Sequence, residues 1–230
     1  MSKTIVVVGF GPGISTGVAD KFGAEGFSVA LVARSQDRLD AGVAALKAKG
    51  VKATAIVADA SDPDSIRAAI GKARAELGPI TALHWNAFSG GDMGDLLTAD
   101  PAAVGKVFDV AVVGLLAAVQ EARADLKAAG DGAVLVTNGA LGFSNPFMDA
   151  MGNNLKAWGV GLANGAKLKL VGLLADALKA DGVYVGEVTV AGAIKGTGYA
   201  TGDDGIEGAE VAAKFWALYQ ARDEIRAAIS

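Results

Sequence analysis

Short, nearly continuous apolar runs alternate along the chain with longer stretches that mix alanine, glycine and charged residues. An apolar run without polar alternation is typical of a strand that is covered on both faces, as in a parallel sheet. The runs predict six strands, at 4–8, 28–33, 52–57, 81–85, 133–137 and 184–190. Their alternation with helix-like stretches predicts one α/β domain over residues 1–230, a doubly wound parallel sheet of six or seven strands with helices on both faces.

The stretches between these runs predict helices near 15–25, 36–49, 63–77, 101–128, 149–180 and 208–222. The fifth of them carries Gly152, Gly159, Gly161 and Gly165. Because glycine destabilises a helix interior by up to about 1 kcal/mol, two alternatives arise. Either a loop interrupts the segment, or its smooth face packs closely on another backbone or subunit, which we favour. Residues 223–230 predict either a short seventh strand or a frayed end.

Composition and charge narrow the classes of function. The net charge is −4 and the 21 basic residues form no stripe, so nucleic-acid binding is not expected. Cysteine is absent and His84 is the only histidine, so no metal site is predicted. His84 lies in a predicted strand and is expected to be a core residue. The apolar run 110–119 is about half of the roughly 20 residues that a membrane span needs, and no signal segment opens the chain. A soluble cytoplasmic protein is therefore expected.

The sequence GFGPGISTG at residues 9–17 follows the first predicted strand directly. Gly9 would let the chain turn sharply, and Gly13 would let backbone N–H groups approach a pyrophosphate. The helix that begins near Ile14 would direct its positive N-terminal end at the phosphates. The spacing departs from G-x-G-x-x-G, so an ordinary structural turn is the alternative when this stretch is taken alone.

The end of the second strand indicates which dinucleotide would bind. An acidic residue there would accept the 2′-hydroxyl of NAD, but Ala33 is neutral. Arg34 and Ser35 follow it, and the planar guanidinium of arginine suits a 2′-phosphate. The sequence therefore favours NADP over NAD, with an ordinary surface arginine as the alternative.

With these features together, the chain resembles the short-chain dehydrogenase/reductase family, whose members have a single Rossmann domain. Gly9 and Gly13 match the family pattern G-x-x-x-G-x-G, and Ser15 replaces its last glycine. Asp59 and Ala60 are similar to the segment that contacts adenine.

Two further segments extend the resemblance to the nicotinamide end. Residues 84–87, His-Trp-Asn-Ala, resemble N-N-A-G, with Phe88 where glycine is usual, and 190–197 resemble P-G-x-x-x-T, with Ala191 in place of proline. The cofactor-binding residues that follow from motif and resemblance are Gly9, Pro12, Gly13, Ile14, Arg34, Ser35, Asp59, Ala60, Asn86, Ala87, Phe88, Ile194 and Thr197.

The family's catalytic set is not matched. Its reaction is hydride transfer between nicotinamide and a carbon atom, with the proton supplied by a tyrosine that has a lysine four residues later. None of the three tyrosines of this chain has a lysine at that spacing. Counting back from 174–178, which resemble the family's L-A-x-E-L, places the tyrosine position at Val160 and the lysine position at Asn164. The serine position falls on Asn138 or Gly139, and the fourth-helix asparagine on Ala111.

Two functions remain open. In the first, the protein is an NADP(H)-dependent oxidoreductase acting on a small carbonyl or activated alkene with non-standard groups. Asn138 would then hydrogen-bond a substrate oxygen, and Tyr199 would act as the acid. In the second, it is a catalytically inactive NADP(H)-binding protein that acts through oligomerisation or a partner. A homo-oligomer, dimer or tetramer, is expected in both because of the glycine-bearing helix.

Overall fold

The computed structural model describes residues 3–89, 93–198, 200 and 204–230. One parallel sheet of seven strands forms its centre, in the order β3-β2-β1-β4-β5-β6-β7. The strands are β1 Lys3–Val8, β2 Phe27–Ala33, β3 Ala53–Val57, β4 Ala82–Trp85, β5 Ala133–Gly139, β6 Tyr184–Val190 and β7 Arg226–Ile229. The chain winds outward from β1 in one direction and then from β4 in the other, so the sheet is doubly wound as predicted.

The sheet is covered on both faces because its strands are apolar on both faces. The helices are α1 Ile14–Ala24, α2 Gln36–Ala48, α3 Pro63–Leu77, α4 Pro101–Gly105, α5 Leu115–Ala128, α6 Pro146–Asn154, α7 Trp158–Leu178 and α8 Gly208–Ala221. In β1, Val6 and Val8 pack with α3, α5 and α7, whereas Ile5 and Val7 pack with α1, α2 and α8.

The last residues form a seventh strand, which decides between the two alternatives for 223–230. β7 pairs in parallel with β6, from Glu187 opposite Arg226 to Val190 opposite Ile229. The short strand closes the edge of the sheet beside α8.

The stretch predicted as one helix over 101–128 is divided. After α4, residues Asp109–Gly114 form a π-helical segment that leads into α5. Gly114 lies directly against the carbonyl oxygen of Ala60, and a Cβ at this position would collide with it. The π-helical segment thus ends at Gly114, where the backbone of the loop after β3 contacts it.

The stretch predicted as one helix over 149–180 is also divided. Residues 155–157 separate α6 from α7, and Lys156 there has a φ of +50°. The close approach occurs as well, but within the chain. A Cβ on Gly161 or Gly165 would lie 3.5 Å from the carbonyl oxygen of Leu141 or Gly142, in the 3-10 turn Ala140–Gly142. The smooth face of α7 therefore accommodates the turn that follows β5.

His84 is a core residue, as expected. Its side chain is fully buried in β4, with Nε2 3.1 Å from Thr137 Oγ1 and the ring 4.8 Å from the ring of Phe215. Burial lowers the pKa of His84 to about 3, so the imidazole is neutral at physiological pH.

The stretch Pro101–Ala128 is the one part of the described chain that is long and apolar enough to cross a membrane, and its most apolar window of 18 residues has a mean hydropathy of 2.0. The run 110–119 therefore understated the length of this apolar region. In the structure 44% of this 18-residue window is buried, and α5 packs against α3 and β4.

Candidate functional site

The residues predicted to hold a dinucleotide lie together at the carboxyl edge of the sheet. They belong to the loops that follow β1, β2, β3, β4 and β6. The sheet reverses its winding between β1 and β4, and ligands of doubly wound proteins bind at such a switch point.

Gly9 turns the chain sharply at the end of β1 and lies against the loop after β4. Its φ is +86°, and a Cβ there would collide with the backbone of Ala87. Asn86 secures the same contact, because its Nδ2 donates to the carbonyl oxygen of Gly9 at 3.3 Å. The predicted nucleotide residues Gly9, Asn86 and Ala87 therefore form one contact that admits no larger residue at position 9.

Gly13 makes a second close contact, with the segment after β6. Its φ is +85°, and a Cβ there would lie 2.6 Å from Ile194 Cγ2 and 3.4 Å from Thr197 Cγ2. Thr197 Oγ1 donates to the carbonyl oxygen of Ile194 at 2.6 Å, which holds this segment in a tight turn. The structure thus brings Gly13, Ile194 and Thr197, three of the residues predicted to bind the cofactor, into contact.

The N-terminus of α1 has no side-chain cap. Gly13 occupies the cap position, whereas Ser35, Asp62 and Asn145 cap α2, α3 and α6 with side-chain oxygens. The first N–H groups of a helix have no partner within the helix, and their partial positive charge attracts anions. The backbone N–H groups from Ile14 onward are therefore suited to a phosphate.

Ser15 replaces the family's last motif glycine and closes the loop on itself. Its fully buried hydroxyl accepts from the N–H of Gly11 at 2.8 Å and donates to the carbonyl oxygen of Gly11 at 2.9 Å. Thr16 Oγ1 donates to the same carbonyl at 2.8 Å. Pro12 is exposed at the tip and has no N–H. The loop is therefore held in shape by side chains of α1.

The end of β2 presents cationic groups to solvent. Arg34 and Ser35 are both exposed, and Ser35 Oγ also accepts from the N–H of Arg38 at 3.4 Å. The guanidinium of Arg38 comes within 3.6 Å of the Cβ position of Gly11. Arg38 is thus a second arginine beside the loop, one helical turn beyond Arg34, and the sequence analysis missed it. The available signal was the spacing of four residues between Arg34 and Arg38, which would place both side chains on the same side of a helix-forming stretch.

Asp59 and Ala60 lie in the loop that follows β3. Asp59 Oδ1 accepts from the N–H of Ser61 at 2.9 Å and from its hydroxyl at 2.7 Å. These two hydrogen bonds, and to a lesser extent the charge of Arg34, lower the pKa of Asp59. The carboxylate is therefore ionised and oriented at physiological pH.

Beyond the glycine loop, the end of β5 holds the candidate catalytic residue Asn138. Its side chain is buried, with Nδ2 donating to the carbonyl oxygen of Asn164 at 3.1 Å and Oδ1 accepting from the N–H of Gly139 at 3.0 Å. A Cβ on Gly139 would lie 2.5 Å from Asn164 Nδ2. Asn164, the residue counted as the lysine position, therefore does lie against the end of β5.

The sequence model of the short chain dehydrogenase family matches residues 3–171 of this chain. The chain belongs to the short-chain dehydrogenase family. Among curated relatives, it is 30% identical over 142 residues to the short-chain dehydrogenase/reductase SDRA of Arabidopsis thaliana, which covers 62% of this chain and 55% of that protein. A short chain dehydrogenase of Pseudocercospora fijiensis is 38% identical over 81 residues, 35% of this chain and 26% of that one. The matches thus span about half and a quarter of these relatives.

Solved structures of short-chain dehydrogenases have the same fold. A metagenomic short-chain oxidoreductase in complex with NADP superposes with a TM-score of 0.79 at 24% identity, over 99% of this chain and 95% of that one. An alcohol dehydrogenase from Thermococcus sibiricus, complexed with 5-hydroxy-NADP, superposes with a TM-score of 0.82 at 20% identity, over 100% of this chain and 96% of that one. At these identities the likeness establishes the Rossmann-type fold.

Two of the three tyrosines of this short-chain dehydrogenase lie away from the carboxyl edge. Tyr184 begins β6, at the opposite edge of the sheet, and donates to the carbonyl oxygen of Glu224 at 2.7 Å. Burial raises its pKa to about 12. Tyr219 of α8 donates to Asp131 at 2.8 Å. Tyr199, the candidate acid, lies outside the described residues.

An apolar cavity of about 450 Å³ lies beside the end of β5. The turn after β5 and the first turns of α7 form its walls, and α6 covers it on one side. Its larger lining side chains are Leu96, Leu141, Phe143, Met148, Trp158 and Leu162. Phe88, where the family usually has glycine, is 48% exposed on the neighbouring loop after β4. Gly142, Phe143, Ser144 and Met148 thus contribute to this cavity from the segment after β5.

Proposed function

We propose that this short-chain dehydrogenase binds NADP(H) and transfers a hydride between the nicotinamide and a small carbonyl compound or activated alkene. The glycine loop carries the proposal. At Gly9 and Gly13 the backbone has positive φ, touches the loops after β4 and β6, and leaves the N-terminus of α1 without a side-chain cap. The two glycines fit a pyrophosphate site, because a Cβ at either position would occupy the space in which the backbone contacts the loops after β4 and β6.

The preference for NADP(H) over NAD(H) rests on charge. The end of β2 lacks a carboxylate, Arg34 is exposed there, and Arg38 lies beside Gly11. A guanidinium donates two parallel hydrogen bonds to a phosphate oxygen pair, which an uncharged ribose hydroxyl cannot match. The structural neighbours in complex with NADP support the same choice. Ser35 and Asp59 would hold the ribose and adenine, and Phe88, Ile194 and Thr197 would border the nicotinamide.

The chemistry would use groups other than the family's tyrosine and lysine. A bound nicotinamide supplies the hydride, and the protein must orient the substrate and provide a proton. Asn138 lies at the end of β5, and its side-chain amide nitrogen carries a second N–H besides the one that donates to Asn164. We assign to Asn138 the orientation of the substrate oxygen, and to Tyr199 the donation of the proton. The apolar cavity favours a substrate with an apolar group.

A second candidate function is cofactor binding without turnover. It is favoured by the engagement of Asn138 with Asn164 and Gly139, which leaves the end of β5 with no free carboxylate, imidazole or phenol among the described residues. Such a protein would act through oligomerisation or through a partner.

We also propose a cytoplasmic homo-oligomer, a dimer or tetramer. α7 exposes Leu162 and Leu173, by 41% and 56%, and Val113 before α5 is 40% exposed. These side chains lie on α7 and on the π-helical segment that leads into α5. A second copy would remove them from water, which is favourable by the hydrophobic effect. A molar mass near 23.0 kDa by light scattering would contradict this assignment.

Fluorescence titration of NADPH and NADH tests the cofactor assignment first. We expect NADPH to bind at least tenfold more tightly; equal and weak binding of both would contradict the assignment. NADPH oxidation is then followed over a panel of carbonyls and enones. Turnover that is lost in Tyr199→Phe and reduced in Asn138→Ala supports the enzyme, and tight binding with no turnover on any substrate supports the binding protein.

A further inference from the structure

Lys167 is buried on the face of α7 that is turned to the sheet. It is 4% exposed and lies three residues after Asn164 and seven after Val160, so the three share one side of the helix. Side chains in a helix lean toward its N-terminus. The ammonium of Lys167 is therefore carried back toward Asn164 and the end of β5.

Glu187 lies opposite, on β6, and is fully buried. Its Oε1 accepts from Thr189 Oγ1 at 2.9 Å and lies 3.7 Å from Nε of Arg226 on β7. Its Oε2 has no hydrogen-bond partner among the described residues. A buried carboxylate is costly unless its charge is compensated, so a second cation is expected nearby.

Lys167 meets that requirement. Burial lowers the pKa of Lys167 to about 8, and the charge of Glu187 acts in the opposite direction. No carboxylate oxygen of the described residues comes within 4 Å of Lys167 Nζ, so the two charges act on one another across a gap.

One other charged group takes part in this arrangement. β5 contributes no titratable side chain, but Arg226 of β7 lies 3.7 Å from Glu187 Oε1 and donates through Nη2 to the carbonyl oxygen of Leu168 on α7 at 2.7 Å. The other elements that pack on α7 carry Asp109, Asp149, Lys179 and Asp181, and none of these acts on the Lys167 pKa.

The pair lies one layer below the reaction centre. Strand pairing sets Val136 opposite Glu187 and Asn138 opposite Thr189, so Glu187 is two residues from the Asn138 level on the same face. Asn138 is joined in turn to Asn164, one turn of α7 before Lys167. The positions at which the family has tyrosine and lysine are therefore uncharged here, whereas a buried charge lies directly behind them.

We propose that the Lys167 ammonium, compensated by Glu187, supplies the positive charge at the nicotinamide end of the cleft and so favours the reduced over the oxidised cofactor. The inference rests on the proposed function, since it requires a bound nicotinamide. Oxidised nicotinamide is cationic and reduced nicotinamide is neutral, so a nearby ammonium repels only the former. The same charge would stabilise negative charge that develops on a substrate oxygen. Lys167 is a positioning residue in this scheme, and it directs the protein toward reduction.

The test compares the affinities of NADP⁺ and NADPH at pH 7 and pH 9 in the native protein. Both cofactors carry the same 2′-phosphate, so its titration cancels in the affinity ratio. As pH rises through the pKa of Lys167 the repulsion disappears and NADP⁺ binds more tightly. One pKa unit of coupling corresponds to a fall of about tenfold in the preference for NADPH.

Two variants separate this role from a structural one. Lys167→Met alone removes one of the two cations near the buried Glu187 and is expected to lower stability, so the neutral pair Lys167→Met/Glu187→Gln is used. We expect that pair to melt within a few degrees of the native protein and to show the same affinity ratio at both pH values. Lys167→Arg retains the charge, so its preference for NADPH stays high at both pH values.

The outcomes distinguish the two proposals. A native ratio that changes less than twofold between pH 7 and pH 9, with both cofactors bound, overturns the role of Lys167 and leaves the cofactor assignment intact. A tenfold change that persists in the neutral pair overturns it as well. Failure of either cofactor to bind the native protein overturns the proposed function, and the role of Lys167 with it.

Discussion

The ends of β1 and β5 lie at the same edge of the sheet, but they are built from different parts of the chain. After β1 the site is made of backbone: Gly9 and Gly13 touch neighbouring loops at distances that exclude any side chain. After β5 it is made of side chains, because Asn138 binds the backbone of Asn164 and Asn164 lies against Gly139. The proposed function assigns the first arrangement to the cofactor and the second to the substrate.

This difference separates holding a cofactor from using it. Backbone contacts depend on glycines whose replacement would disturb the fold itself, so they are constrained by stability as well as by binding. A proton donor is constrained only by the reaction. A chain can therefore replace the groups after β5 and keep the loop after β1 unchanged. Each of the following experiments perturbs one side of this comparison.

The largest effect is expected from Gly9→Ala, with Gly26→Ala as its control. Both glycines have φ near +90°, at +86° and +89°, but only Gly9 faces a backbone; nothing lies within 4 Å of the Cβ position of Gly26. We expect Gly26→Ala to lower the free energy of unfolding by about 1 kcal/mol from backbone strain. Gly9→Ala adds overpacking and is expected to cost about 3 kcal/mol. Urea unfolding measures both, and equal losses would contradict the close-contact assignment.

Acidification tests whether the two regions unfold together, since His84 of β4 lies between them. Its pKa is about 3 in the folded protein and near 6.5 when unfolded, so the unfolded chain binds the proton first. Stability is therefore complete above pH 6.5 and is lost as pH falls toward 3. Between pH 7 and pH 5 the expected loss is about 2 kcal/mol.

The chain has a single histidine, so this pH window is specific to it. In His84→Gln the slope between pH 7 and pH 5 should disappear. Tryptophan fluorescence and circular dichroism should report one midpoint in the native protein, and two separate midpoints would show that the regions unfold independently.

Arg34→Ala perturbs only the binding side. Loss of a charged hydrogen bond to the 2′-phosphate is expected to weaken NADPH about tenfold and to leave NADH within twofold. Arg67→Ala, which removes an exposed arginine paired with Asp64 on α3, is the matched control and should change neither affinity. Fluorescence titration of both cofactors gives the four values, and parallel weakening of NADPH and NADH by Arg34→Ala would refute selectivity at this residue.

Asn138→Ala perturbs only the side after β5. The variant loses the bonds to Asn164 and Gly139 inside the protein, and we expect the free energy of unfolding to fall by about 1 kcal/mol. NADPH affinity should stay within threefold of native. Asn153→Ala, which removes an exposed amide bonded to Trp158, serves as the control and should have a smaller effect. A tenfold loss of NADPH affinity in Asn138→Ala would show that the two regions are not separable.

Much of the fold follows from the sequence because apolar runs determine strands that are covered on both faces. The glycine loop and the end of β2 could also be located, since their residues lie close to strand ends. The division between α6 and α7 could not. Lys156 adopts a positive φ without the glycine or asparagine that normally marks such a position, so tertiary packing determines it.

The pairing of Lys167 with Glu187 could not be predicted from the sequence either. The two residues are separated by a helix end, a turn and half a strand, and their charges act on one another only because α7 packs on β6. Arg38 was missed for a related reason, because its proximity to Gly11 depends on how α2 lies over the loop. Pairings between elements require the topology as well as the pattern.

The contact between α1 and α8 has a consequence for how signals could reach the nucleotide. Gly208 begins α8 directly against the carbonyl of Gly13, and a Cβ on Gly17 would lie 2.5 Å from the carbonyl oxygen of Gly208. The last helix and the glycine loop are thus packed backbone against backbone. A ligand or subunit that displaced α8 by a fraction of an ångström would shift the N–H groups of Ile14 and Ser15 with it. We therefore expect a partner on the outer surface of α8 to change the affinity of the proposed cofactor site, although no side chain of α8 needs to touch the cofactor.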